Sequence, residues 1–374
     1  TIEDSWGGDI ITAAISDPLP GATEYGGLAV SDKIMGSSTV VAMIVRKPTV
    51  SIVVYEVNPN LLNPAWFDSQ LDATGSERYE ALASDGCGQI YVSMGQDGVA
   101  ALIENSGVLA DVSAALMTWP PADDVPGGQA SAIAAQCDPF GKGVVLNGFA
   151  RGGVARTLVA TTAATPVLIA SDYLRRVGSA RDIAITGEYA LIADTYGISV
   201  GENDAPNAAL IKGLVAVDID EPDQPRTEKR CDVAGEAGAA NAPVLAVATV
   251  KDTSFVALGD ETTGGKVMRR RHSPDAPCGV GDGIASLPED TIPKLIAADE
   301  LEGQTIVVVA AGDTGYPLSI YAPDSDDWEI QTLVAPGDLG YATVTGIALS
   351  GGSLAVITDA ATNHIRHYPI GADG

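Results

Sequence analysis

Six residues recur at what reads as one structural position: Asp97, Asn147, Asp194, Asp260, Asp313 and Asp359. Each stands at the end of a short apolar run or in the turn after it, and Arg46 holds the corresponding place nearest the N-terminus. Oxygen donors converging on one point suit a hard cation, since Ca²⁺ takes about six to eight oxygen ligands. The same carboxylates would also suit a basic peptide. A local reading competes with both, because an Asp side chain accepts from nearby backbone amides and favours turns on that account alone. The residues after Asp194, Asp313 and Asp359 are turn formers, which favours local capping.

Four cysteines make two candidate pairs. Cys87 and Cys137 are 50 residues apart in equivalent hairpin turns of adjacent units, and Cys231 and Cys278 are 47 apart near the outer ends of two others. Equivalent turns of neighbours lie side by side, so a disulfide within each pair is geometrically reasonable, while four cysteines admit three pairings. The C-x-x-C spacing does not occur, so thioredoxin-like chemistry, c-type haem attachment and zinc ribbons have no support. His364 and His367 are three apart; on a strand such residues point to opposite faces and do not share an ion. His272 closes the one dense basic cluster, Arg269 to His272, whose expected role is ion pairing with acidic surroundings. Gly197 to Gly201 matches G-x-S-x-G, but that motif needs a strand-to-helix elbow and no helical pattern follows it.

The frame for these residues is a repeated dipeptide of Leu, Ile or Val followed by Ala. It occurs at Leu28-Ala29, Leu82-Ala83, Ile133-Ala134, Ile183-Ala184, Val247-Ala248, Ile296-Ala297 and Ile347-Ala348. Successive alanines are 54, 51, 50, 64, 49 and 51 residues apart. A period near 50 built from short strands is the mark of a radial array of four-stranded blades. The expected fold is therefore all-β, a seven-bladed β-propeller forming one domain over residues 1–374. The blades are expected near 18–75, 76–127, 128–176, 177–240, 241–290, 291–338, and 339–374 plus 9–17. The seventh unit ends too soon for a fourth strand, so the segment Asp9 to Ile15 is expected to supply it and close the ring. Long irregular stretches at Trp119 to Gly128 and Tyr196 to Lys212 are candidate functional loops or tolerated insertions.

The fourth unit is the clearest. Asp182 to Asp194, followed by Leu214 to Pro225, resembles one LVIVD-type repeat of bacterial exported β-propellers. Leu354 to Tyr368 is similar to NHL-type blades, in which an Asp-containing turn precedes an Arg-bearing strand. The resemblance covers about two of the seven units and implies fold far more than activity.

Composition narrows the function. The formal charge is −28, from 49 acidic and 21 basic residues, and a surface this acidic repels nucleic acid and anionic lipid. It attracts basic partners and divalent cations. No run of about 18 apolar residues exists, so no membrane span is expected. A start at Thr1 fits a processed form, and the cysteines fit an extracellular, periplasmic or outer-surface location. The leading expectation is a non-catalytic binding or scaffold module, or a subunit of an extracellular assembly. Its partner would be a protein or glycan at the cell surface, with homo-oligomers and a channel Ca²⁺ both open. The alternative is a metal-dependent lactonase or esterase using channel-mouth carboxylates, although the Glu and paired Asn set that would specify it is missing. A quinoprotein-type cofactor site is a third reading, weakened because no tryptophan recurs from unit to unit.

Overall fold

The computed structural model describes residues 13–15, 24–31, 39–47, 49–57, 65–73, 78–103, 115–119, 130–137, 142–149, 153–160, 167–174, 180–187, 189–194, 213–219, 228–239, 242–287, 291–301, 303–311, 318–321, 331–334, 343–359 and 365–369. Strand β1 is Ala13–Ile15. The first sheet holds β2 (Glu24–Ser31), β3 (Thr39–Lys47), β4 (Ser51–Val57) and β5 (Ala65–Asp72). The second holds β6 (Ala81–Ser84), β7 (Ile90–Ser93), β8 (Val99–Ile103) and β9 (Ala115–Trp119). The third holds β10 (Ala130–Cys137), β11 (Lys142–Phe149), β12 (Gly153–Ala160) and β13 (Val167–Leu174). The fourth holds β14 (Ala180–Thr186), β15 (Tyr189–Asp194), β16 (Gly213–Asp218) and β17 (Glu228–Cys231), followed by the short helix α1 (Val233–Glu236). The fifth holds β18 (Val244–Val250), β19 (Thr253–Asp260), β20 (Gly264–Ser273) and β21 (Ala276–Ser286). The sixth holds β22 (Pro293–Leu301), β23 (Gln304–Ala311), β24 (Leu318–Tyr321) and β25 (Gln331–Val334). The seventh holds β26 (Val344–Ser350), β27 (Ser353–Thr358), β28 (Ile365–Pro369) and β1, in which Ala13 pairs with His367 and Ile15 with Ile365.

All pairings are antiparallel between sequence neighbours, apart from β1 with β28. Every one of the repeated dipeptides lies in the first strand of its sheet. The second strands read as continuous apolar runs rather than alternating ones, because neighbouring sheets cover both of their faces. Val41 to Val45 in β3 and Ala190 to Ala193 in β15 are wholly buried. Small side chains suit this stacking. Aromatics make up only 5% of the chain, and Ala, Val, Ile and Leu fill the spaces between sheets.

The core is divided in the same way. Seven apolar clusters are found among the described residues, each spanning two consecutive sheets. One of them joins Leu28, Val41 and Met43 of the first sheet to Ala355 and Ile357 of the seventh. The first strands contact one another in the order β2, β6, β10, β14, β18, β22, β26, and β26 also contacts β2. Among the described residues each sheet thus buries its faces against its neighbours, the energetic pattern of a repeat array.

Two disulfides reinforce these contacts. Cys87, in the turn between β6 and β7, joins Cys137 at the end of β10, with Cα atoms 6.0 Å apart. Cys231 on β17 joins Cys278 on β21, with Cα atoms 5.4 Å apart. Each bridge ties one sheet to the next. No helix among the described residues is long and apolar enough to cross a membrane.

Candidate functional site

The pairing of each first strand with its second carries the same irregularity. The register shifts between Tyr25 and Leu28, Ala130 and Ala132, Ala180 and Asp182, Val244 and Ala246, Pro293 and Leu295, and Val344 and Gly346. In the second sheet the N–H of Glu80 donates to the Ser93 carbonyl while Ala81 also stands opposite Ser93, so two residues again face one. Such a bulge leaves a residue outside the ladder and re-aims its side chain. Counting back two from each dipeptide gives the bulged position: Gly26, Glu80, Ser131, Arg181, Leu245, Lys294 and Thr345.

Six of these residues line one open cavity of about 520 Å³: Gly26, Glu80, Arg181, Leu245, Lys294 and Thr345. Gly27, Ala81, Ala132, Asp182, Leu295 and Gly346, the next position along, line it too. All seven first strands, or the residues leading into them, contribute. The charged members are Glu80, Arg181, Asp182 and Lys294. The close approach of β2 and β6 leaves no room for a side chain at Gly27, where a Cβ would stand 2.8 Å from the Leu82 nitrogen.

Asp182 joins two sheets. One carboxylate oxygen accepts from the Ile183 N–H at 3.0 Å, and the other from the Val247 N–H of β18 at 2.9 Å. Burial pushes this carboxyl up to about 7, against the pull of the Val247 and Ile183 N–H groups and of Arg181. A carboxyl near neutrality in a cavity suits general acid–base work. Here both oxygens already hold backbone donors across a sheet junction, so the arrangement acts as a structural tie. Glu80 is buried, and its Oε2 lies 2.7 Å from where a Gly95 Cβ would be, a place only glycine fits at φ +62°. Arg46 donates to the Glu80 carbonyl at 3.2 Å.

The aspartate positions aligned in the sequence do not share one register. Asn147 stands directly opposite Ile133, inside β11. Asp194 lies two residues beyond Ile192, the partner of Ile183. Asp359 lies three beyond Val356, the partner of Ile347, and Asp260 four beyond Val256, the partner of Val247. Asp97 lies five beyond Val92, the partner of Leu82, at the end of a 3-10 turn. Asp313 lies outside the described residues. These positions belong to second strands or the turns after them, one strand removed from the cavity.

Three of the carboxylates are engaged locally. Asp260 accepts from the Thr262 and Thr263 N–H groups at 2.9 and 2.8 Å and from the Thr263 hydroxyl at 2.9 Å. These bonds, the Thr263 N–H foremost, hold its carboxyl below the ordinary value. Asp359 accepts from the Thr343 N–H at 2.6 Å. Asp194 is wholly buried, with an Arg230 guanidinium nitrogen 3.5 Å away. Among the described residues no group of three His, Cys, Asp or Glu converges as metal ligands would.

The basic cluster is likewise internal. Arg269 and Arg271 both pair with Asp282 at 2.7 Å, and Arg270 is buried against the Glu236 carboxylate at 2.5 Å and the Cys278 carbonyl at 2.6 Å. His272 differs from the ion-pairing expectation: its Nε2 meets the Ser254 hydroxyl at 2.7 Å and its Nδ1 the Pro277 carbonyl at 2.9 Å. Burial pushes its pKa down, so it sits in the core as a neutral ring. The G-x-S-x-G stretch, His364 and most of both long loops lie outside the described residues.

No protein-family model and no curated protein matches the chain. Solved structures do. A structure of the RRP9 WD40 repeats aligns with a TM-score of 0.59 at 9% identity, covering 96% of this chain and 99% of that one. BBS1N in complex with ARL6DN aligns with a TM-score of 0.56 at 12% identity, covering 96% and 97%. Raptor of Chaetomium thermophilum aligns with a TM-score of 0.59 at 12% identity, covering 97% of this chain and 28% of that one. The fold is a β-propeller. Identities this low carry the architecture and no activity.

Proposed function

We propose that residues 1–374 form one seven-bladed propeller closed into a ring, of the bacterial exported LVIVD/NHL-like kind, serving as a protein-binding or scaffold module at the cell surface or in an extracellular assembly. Closure is supported by β1 completing the seventh sheet and by the apolar cluster shared between the seventh and first sheets. An oxidising location is supported by the two disulfides, which account for all four cysteines. The acidic exterior favours a basic protein partner. A β-propeller engaged with another protein has a parallel in BBS1N, seen in complex with ARL6DN.

The observation that carries the non-catalytic reading is the commitment of Asp182 to backbone donors on two sheets. A carboxylate fixed in this way is oriented by the backbone of two sheets rather than aimed at a bound water. The test is an activity screen of the oxidised protein against aryl esters and lactones, with added Ca²⁺ and again after chelation. The expected result is no turnover above the blank and a melting temperature indifferent to chelator. Ca²⁺-dependent hydrolysis abolished by chelator would replace this reading with the metal-dependent lactonase or esterase.

A further inference from the structure

The two disulfides close loops of nearly equal length, 50 and 47 residues, so chain entropy does not distinguish them. Their surroundings do. Cys231 and Cys278 are both buried in the apolar cluster between the fourth and fifth sheets, among Leu214, Val233 and Met268. Cys87 is exposed and Cys137 half-buried. Thiol–disulfide exchange begins with attack of a thiolate on one sulfur, so access to that sulfur governs its rate. The turn around Cys87 is open. Gly86 and Gly88 flank it at φ +73° and +110°, a backbone suited to glycine, and neither puts a side chain beside the cysteine. A Cβ at Gly86 would meet nothing within 4 Å. The one charged residue from Ser84 to Gln89 is Asp85, and it is buried, so no exposed carboxylate of this turn repels an incoming thiolate.

The same turn is held by contacts other than the disulfide. One Asp85 carboxylate oxygen accepts from the Cys87 N–H at 2.8 Å and from the Gln89 N–H at 3.0 Å, and the Asp85 N–H donates to the Gln89 carbonyl at 3.0 Å. The Asp85 carbonyl accepts from the Cys137 N–H at 3.2 Å, a bond that crosses from the second sheet to the third. Tyr91, Val99 and Ala101 of the second sheet pack on Val145 of the third across the same junction. These contacts keep Cys87 and Cys137 facing one another, their Cα atoms 6.0 Å apart, when the S–S bond is open. Reclosure is then a reaction between two groups already in place.

The geometry points to Cys87–Cys137 as a reversible thiol-exchange site, opened by a dithiol in the folded protein while Cys231–Cys278 stays closed. A thiolate of the dithiol attacks the Cys87 sulfur; the bond to Cys137 breaks as the mixed disulfide forms, and Cys137 leaves as a thiolate that takes a proton from water. The second thiolate of the dithiol then attacks its own sulfur in the mixed disulfide, and Cys87 leaves as a thiolate. Two electrons pass from the dithiol, which ends as a disulfide, to the two cysteines. This site goes beyond the binding-module reading, and the ester screen does not bear on it. The test treats the intact oxidised protein with dithiothreitol at pH 8 without denaturant. Samples are alkylated at intervals, and the modified cysteines are located by peptide mass. Cys87 and Cys137 are expected to be labelled together, at a rate proportional to reductant and roughly tenfold or more above that of Cys231 and Cys278. The near-ultraviolet circular dichroism of the two-thiol species is expected to match the parent, and oxidised glutathione is expected to restore the Cys87–Cys137 bond. Equal labelling of the two pairs, or a rate independent of dithiothreitol and so limited by unfolding, overturns the proposal. Loss of the folded spectrum on opening, or thiols that do not rejoin one another, overturns it as well.

Discussion

Replacing Asp182 with asparagine tests how the fourth and fifth sheets are joined. The carboxyl of Asp182 is raised from 3.8 to about 7, with desolvation as the main cause. The folded state therefore keeps a proton that the unfolded chain releases across that interval. Its contribution to stability is complete below about pH 4 and is lost as pH rises through about 7. About three pK units at ~1.36 kcal/mol each put the loss by pH 8 at no more than about 4 kcal/mol. The asparagine side chain of D182N does not titrate. It keeps one acceptor oxygen, but its amide nitrogen confronts a second backbone N–H and orphans it, at a cost of about 1–3 kcal/mol. D182N is thus expected to be less stable than the parent at pH 4, with the gap closing or reversing by pH 8. Urea unfolding of both proteins at intervals from pH 4 to 8 measures this, and the difference between them cancels the other carboxylates. A difference that stays constant with pH would refute a proton-holding Asp182.

Two further sets of substitutions probe the packing of neighbouring sheets. A Cβ at Gly27 would meet the Leu82 nitrogen at 2.8 Å and the Ala81 Cα at 3.0 Å, both backbone atoms. Gly27→Ala is expected to cost about 1–3 kcal/mol, read as a lower melting temperature, and an unchanged one would count against so close an approach of β2 and β6. Replacing Cys87 and Cys137 together with Ser opens a 50-residue loop and is expected to cost about 4 kcal/mol in the chain-entropy model. The Cys231 and Cys278 pair, closing 47 residues, should cost about as much, and urea midpoints that do not move would show that neither bridge restrains the unfolded chain.

Much of the strand order is legible because each sheet needs the same apolar run in the same place. The dipeptide marks the first strand in all seven sheets. The functional end of each sheet is less legible. Aligning on the dipeptide and reading downstream collects aspartates, but second strands end at different lengths, so Asn147 and Asp97 fall five residues apart in register. Upstream, the bulge keeps constant spacing while its side chain varies from Gly26 to Glu80, Arg181 and Leu245. A varied position leaves no compositional trace, and only counting back two from each dipeptide finds it. The buried state of His272 is hidden for a related reason: a run of charges reads as solvated until strand pairing brings in its partners, Asp282 and Glu236 for the arginines and Ser254 and Pro277 for the histidine.

The pairing of β1 with β28 has a consequence for how the molecule is made. Ala13–Ile15 leaves the ribosome long before Ile365–His367 exists, so it must wait without that partner while the intervening sheets are made. A chain cut short before Ile365 offers neither strand a mate and leaves β27 as a naked edge, open to strand addition by any passing chain. Pairing with β28 hides that edge. The last sheet thus reports whether β28 has been made, by whether the edge of β27 is left for proteases and chaperones to find.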